Sequence, residues 1–467
     1  MLRLNLSIEQ NYPHISGNKV DRGKAMLRDH PLRVELCNEL HTRPFTQLTG
    51  PETITHLGML TNEETAEDER AHVGLLCQRF NVTAPPPGTK HFMADMGHFF
   101  MVWERHTEFS TYTFFLNRRD VDRKDCDASP SEHRAAVPFS KAAIELVPDD
   151  WLKAVPGERL VGVHLELEGH DSPERTMQEQ VAFFPSGNLS ACTLRGGLAA
   201  VWMDFSINED GYGRILVKDY GLKPRQIGRA VQRLLEIETY RMMALLSLPL
   251  AQQYGARLAK AGRVLTEITT RMTDHREVDN EKNLLRELTE LSAEIEQAAA
   301  ATSYRFSASK AYHELVRQRN QKLKEDYMDG FQKIESFLDR RLTPAMRTCE
   351  AMAVRLDTLS KRVARAGQLL RTRVDIQLEE QNSALLKSMD RRARIQLRLQ
   401  ETVEGLSIAA ISYYVVSLIY YLSKGIKSIG FDLNASTIAA ISIPFVVSAL
   451  WLGVRRVRKI VERDGRD

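Results

Sequence analysis

Histidine is the residue type best suited to chemistry here, and it is unevenly spread: 11 of the 13 histidines precede Asp171. A metal centre needs imidazoles at fixed intervals or brought together by folding, each oriented by a further partner. The spacings contain no His-Glu-x-x-His pair and no Cys/His zinc pattern. His91, His98 and His106 converge only if the fold makes them. "GNKVDRGKA" at Gly17–Ala25 approaches a phosphate-binding loop. Its glycines are one residue too far apart, and no hydroxyl follows Lys24 to meet magnesium. A Gly-x-Ser-x-Gly elbow and a dinucleotide glycine fingerprint are both missing. The sequence therefore assigns no catalytic residue and no metal ligand, and any cofactor is unknown.

Two polar clusters stand out. "HPLRVELCNELHTRPF", His30–Phe45, joins a short helix to an Arg-Pro exit. "WERHTEF", Trp103–Phe109, sets charges around a hairpin. Strand alternation puts Glu104, His106 and Glu108 on one face and Arg105 on the other. Carboxylates beside an imidazole tune one another's pKa, so Arg43, Glu104, His106 and Glu108 form the candidate polar cluster. The bland alternative is an ion network that ties the hairpin to Arg43.

These residues need a scaffold. Residues 1–222 read as a cytoplasmic α+β domain with a mainly antiparallel sheet. Phe99–Trp103, Phe109–Leu116, Leu160–Glu168 and Ala199–Ile207 are rich in strand formers. Asp210-Gly211 is a hairpin cue, with Ile215–Val217 as the returning strand. Helices are expected at Pro31–Leu40 and Glu63–Phe80. "TAPPPGTK" and "DVDRKDCDASPSEHRAAVP" read as exposed loops.

Residues 223–405 read as a helical stalk. Pro224 suits the first turn of a helix, and Pro249 should kink or end that helix. Further helical runs cover Ala251–Thr273, Glu277–Ala301 and Ala308–Arg340. Pro344 is expected to open the longest helix. There Met352, Leu356, Leu359, Val363, Ala366 and Leu370 make a coiled-coil-like seam. It continues less strictly through Val374, Leu378, Leu385, Met389, Ile395, Leu399 and Val403. Such a seam joins helices of one chain or of several.

Residues 406–454 hold two uncharged apolar runs, 406–422 and 435–454. A membrane-spanning helix needs about 20 such residues. Arg391, Arg392, Arg394 and Arg398 precede the first run. Arg455, Arg456, Arg458 and Lys459, in the basic tail 455–467, follow the second. Basic flanks mark the cytoplasmic side, so both termini are expected there. Tyr413, Ser417, Tyr420 and Lys424 share a face of the first run. Ser436, Ala440, Pro444 and Ser448 offer a small-residue face on the second, suited to close helix packing.

The totals agree with a local membrane anchor. Net charge is +3 and mean hydropathy −0.33. That balance argues against nucleic-acid binding. The 5 cysteines are far apart and read as reduced thiols. No apolar N-terminal stretch resembles a signal peptide.

"HPLRVELCNELHTRPF", "WERHTEFSTYTFF", "WLKAVPGERL", "GRAVQRLLEIETYRMMALLSLPLA" and "EGLSIAAISYYVVSLIYYL" together resemble a bacterial family of membrane-anchored proteins, domain of unknown function 3422. The resemblance implies an inner-membrane location and no particular activity. The layout is also similar to that of CorA-type magnesium channels. Their Gly-Met-Asn filter signature is missing, and "YYLSKGIK" stands in its place. A ring of Lys424 would oppose cations. The expected function is an oligomeric scaffold, sensor or envelope-associated factor, partnered by the lipid bilayer and by copies of itself. An ion channel or transporter is the alternative.

Overall fold

A computed structural model describes residues 30–33, 37, 46–117, 137–185, 187–273, 281–428 and 434–464. The Gly17–Ala25 loop, most of His30–Phe45 with Arg43, and most of the loop after Asn117 lie outside them.

The described chain forms two compact units. The first comprises residues up to Lys260 and Glu296–Thr358; the second comprises Ala261–Ile295 and Leu359–Asp467.

The first unit is built on a mixed, mostly antiparallel sheet, as the strand signals predict. Its strands are β1 (Glu52–Leu60), β2 (His91–Asp95), β3 (Phe100–Arg105), β4 (Phe109–Asn117), β5 (Glu158–Glu168), β6 (Ser190–Leu194), β7 (Ala199–Met203), β8 (Gly213–Asp219) and β9 (Glu325–Asp326). Their spatial order is β2-β3-β4-β1-β5-β8-β7-β6-β9. Among the described strand pairs β5–β8 alone is parallel, and a parallel bridge joins Ser190 to Gln332. Asp210-Gly211 lies in the loop between the antiparallel β7 and β8, where Gly211 has φ +81°. The Ala199–Ile207 expectation is too long: the strand stops at Met203.

Helices follow in the order α1 (Ala66–Arg79), α2 (Asp149–Lys153), α3 (Met177–Val181), α4 (Pro224–Leu245), α5 (Ser247–Thr273), α6 (Glu281–Leu323), α7 (Ile334–Ser428) and α8 (Ala435–Asp464). Pro224 opens α4, as its missing N–H allows. The break before α5 comes ahead of Pro249, which sits in the first turn of α5. Two expected stalk helices merge into α6. The expected continuity of Ala308–Arg340 fails at Lys324, whose φ of +57° turns the chain into β9. Pro344 does not open the longest helix either; it lies inside α7, which begins at Ile334.

Alternation divides the sheet between two cores. Phe109, Phe115, Val163, Leu165 and Val217 pack under α4 with Ile227, Val231 and Leu234. On the other face Tyr112, Phe114, Met101 and Trp103 pack against Val73, Leu76 and Cys77 of α1 and against Trp151.

In the second unit, Leu359, Val363, Ala366 and Leu370 of α7 are buried with Leu265 and Ile268 of α5 and Leu284, Leu288 and Leu291 of α6. Arg373 bonds the Met272 carbonyl and pairs with Glu281 at 2.8 Å. This part of the seam thus finds its partners within the chain. Beyond it, residues 379–403 of α7 are exposed throughout.

The two apolar runs lie on α7 and α8, each long and apolar enough to cross a membrane and almost wholly exposed. Ser412 and Ser423 are buried on α7, and Ile438, Ser442, Val446, Leu450 and Val454 are the more covered positions of α8. The small residues Ser436, Ala440, Pro444 and Ser448 face outward instead.

Candidate functional site

The first unit contains a cavity of about 280 Å³ between the β2-β3-β4-β1 end of the sheet and the helices α4 and α6. It exists because the helix-facing side of these strands turns polar there. His56, His91, Glu104, Thr111 and Thr113 occupy positions that carry Ile54, Val102, Phe109 and Phe115 elsewhere on the same face.

His56 lies at the back. Its Nδ1 is 2.8 Å from the Thr113 hydroxyl and its Nε2 is 2.9 Å from the Thr239 hydroxyl. Thr239 donates its own proton to the Leu235 carbonyl at 2.9 Å. Its oxygen must therefore accept from His56 Nε2–H, which leaves Nδ1 to accept from Thr113. Burial lowers the His56 pKa to about 4, so the ring is neutral.

The Trp103–Phe109 hairpin forms one wall. The β2–β3 register sets His91 opposite Glu104, with His91 Nε2 3.6 Å from a Glu104 oxygen. The His106 ring stacks on Phe109 with centroids 4.3 Å apart, and the His106 backbone N–H donates to the Phe109 carbonyl at 2.8 Å. Glu104 and His106 both line the cavity. Glu108 is held by a forked pair with Arg305 of α6, one bond at 3.1 Å. Arg105 turns to the other side of the sheet, where it bonds the Asn62 carbonyl at 2.7 Å and lies 3.6 Å from Glu69 on α1. Arg43 is outside the described residues.

The helix wall is basic. Arg233 of α4 and Arg319 and Lys322 of α6 line it, with Glu236. Arg319 pairs with Glu236, which also accepts from Gln232 at 3.2 Å. Arg233 donates to the Lys322 carbonyl at 3.1 Å. The segment Thr46–Leu48 lies against α4 at Gly228. A Cβ there would stand 1.9 Å from the Thr46 carbonyl oxygen. The one sequence signal for this wall was the spacing of Arg229, Arg233 and Glu236 along a single helix.

Among the described residues no group of three or more His, Cys, Asp and Glu is placed to hold a metal ion. His91 and His106 share the cavity, whereas His98 does not line it.

In the second unit, Tyr413 and Tyr420 are exposed, Ser417 is half-buried and Lys424 is exposed. Arg391, Arg392, Arg394 and Arg398 are exposed on α7, with Arg394 paired to Asp390. Arg455 and Arg456 are exposed on α8, and the Arg455 guanidinium lies 5.0 Å from the Trp451 ring centre. Arg458 and Lys459 continue α8.

A family model, described as protein of unknown function (DUF3422), matches residues 28–461. The chain belongs to this family. The DUF3422 match spans the cavity, the stalk segments and both apolar helices. No curated protein and no solved structure matches the chain.

Proposed function

We propose that this DUF3422 protein is a membrane-anchored, self-associating protein of scaffold or sensor type, working in the cytoplasm of a bacterium from the inner membrane. The observation that carries the reading is the exposed length of α7. Leu378, Leu385, Met389, Leu399 and Val403 are each 52–66% exposed. Leu378, Leu385, Leu399 and Leu406 repeat in sevens, with Arg392 in the one gap. Asn382, Met389, Gln396 and Val403 interleave with them. That is a heptad seam, and a polar Asn within one fixes register.

The occupant we assign is a second copy. The exposed seam follows the buried seam Leu356–Leu370 along the same helix after a one-residue shift of the heptad, from position 377 to Leu378. Two anchored copies enter the bilayer at one depth, which sets their α7 helices parallel and level. The residues from Leu378 to Leu406 offer about four heptads, roughly 40 Å of contact.

The basic residues flanking both apolar runs support cytoplasmic termini. The test is cysteine crosslinking of Leu385→Cys in native membranes. Crosslinked dimers or higher species are expected, and a Leu378→Glu, Leu399→Glu background should remove them. Monomers alone in the parent protein would end the self-association reading.

A second reading, ion conduction by an assembly of first apolar helices, has one supporting observation: Tyr413 and Tyr420 stay exposed in the hairpin. It requires ion flux in proteoliposomes that a bulky Ser417→Trp blocks. Flat traces with correctly inserted protein would exclude it.

A further inference from the structure

We propose that the cavity of the first unit binds a small molecule through an anionic group, a phosphate or a carboxylate, held by Arg233 and Lys322.

The argument is one of charge left over. Five charged side chains line the cavity: Arg233, Arg319, Lys322, Glu104 and Glu236. Glu236 has both oxygens engaged, one by Gln232 and one by Arg319. Glu104 sits across the strand pair beside His91. Three cations against two carboxylates give the cavity a net charge of +1. Arg319 and Glu236 pair with each other and Glu104 lies on the strand wall, so Arg233 and Lys322 have no carboxylate partner at the helix wall. Among the described residues neither makes an ion pair. Among the described residues the Arg233 guanidinium donates to a carbonyl, that of Lys322.

The surroundings deepen this excess. Burial, and after it the nearby Arg195 and Arg229, pull the Arg233 pKa below the usual arginine range. A guanidinium does not lose its proton under such pressure. Burial is the main cause; Arg195, Arg229 and Arg319 add positive charge that Glu236 offsets in part, and an anion would relieve what remains. Arginine presents a planar fork to two oxygens of a phosphate or carboxylate, and lysine adds a point charge. The rest of the ligand would meet Tyr240 and Thr111, with His91 and Glu104 at the far wall. A volume near 280 Å³ suits a small metabolite. Every residue of the site lies in the first unit, so a monomeric chain keeps it whole.

The test uses the full chain in nanodiscs of neutral lipid, titrated calorimetrically with inorganic phosphate, with succinate, and with glycerol as a neutral control. Saturable binding of one or both anions at one per chain, without glycerol binding, is expected. A response to phosphate alone assigns a phosphate ester; a response to succinate alone assigns a carboxylate. Arg233→Gln and Lys322→Gln should each weaken binding at least tenfold, whereas Lys322→Arg keeps it within a few fold. Lys322 is exposed on the last turn of α6, so its variants report even if Arg233→Gln fails to fold. No binding of either anion at millimolar concentration, or undiminished binding in Lys322→Gln, would overturn the proposal.

Discussion

His56 on β1 and Thr239 on α4 are joined by a 2.9 Å hydrogen bond across 183 positions of chain. The bond pins the sheet to its covering helix at the back of the cavity, and the companion bond, in which Nδ1 accepts from the Thr113 hydroxyl, requires a neutral imidazole. His164, on the opposite face of the sheet, is also held to a pKa of about 4 by burial; its Nδ1 is 3.0 Å from the Thr55 hydroxyl. In the unfolded chain both rings titrate near 6.5. Between pH 6.5 and 4 the unfolded state therefore binds more protons, and stability falls as pH falls through that window. Each ring accounts for about 3 kcal/mol over the full range. Denaturant melts at pH 7 and pH 5 should show a clearly smaller acid loss in the His56→Gln, His164→Gln double variant. Equal losses in the two proteins would refute this.

Gly228 sets a second expectation. Its missing side chain is what allows the Thr46 carbonyl to rest on α4, where Leu48 N–H bonds the Pro224 carbonyl at 3.2 Å. Backbone cannot yield as a flexible side chain can. Gly228→Ala should displace Thr46–Leu48 and cost about 2 kcal/mol or more, as overpacked sites do. A thermal melt unchanged from the parent would show that the segment moves freely.

What the sequence disclosed follows from how each element is patterned. β3, β4, β5 and β8 carry continuous strand formers, so they were legible. β1 was not, although it is the strand flanked by β4 and β5 near the middle of the sheet. Its sequence ETITHLGML buries polar groups on both faces, through Thr53 to Glu166, Thr55 to His164 and His56 to Thr113. That pairing erases the alternation a reader looks for. β9 is two residues long and has no pattern to find. The hairpin charges Glu104, His106 and Glu108 were visible because they lie close in sequence. Arg233, Arg319 and Lys322 were not, because nothing local brings α4 and α6 to one wall.

The pair Glu108–Arg305 links the hairpin to α6. Their side chains are 10% and 19% exposed. Breaking a buried pair from one side leaves a charge without compensation, at a cost of about 3 kcal/mol. Arg305→Met should therefore destabilise more than the double variant Glu108→Gln, Arg305→Met. Unfolding by urea across the full double-mutant cycle reads the coupling. Strict additivity would mean that solvent already screens the pair.

Glu325 of β9 gives pH dependence of the opposite sign. Its Oε2 accepts the Glu335 N–H at 3.2 Å, in the first turn of α7. Among the described residues no hydrogen bond reaches its Oε1, although the Ile334 N–H also favours the ionised carboxylate. Burial, more than any neighbour, raises its pKa to about 7, with Glu335 adding repulsion. The folded state thus holds a proton that the unfolded carboxyl, titrating near 4.5, has already released. The stabilisation is complete below pH 4.5 and is lost as pH rises through 7. Glu325→Gln keeps an acceptor for the Glu335 N–H and cannot ionise. At pH 8 it should melt above the parent protein, and at pH 4.5 the two should coincide within error. A variant less stable than the parent at pH 8 would show that the ionised carboxylate, drawn by the first turn of α7, is the form the fold prefers.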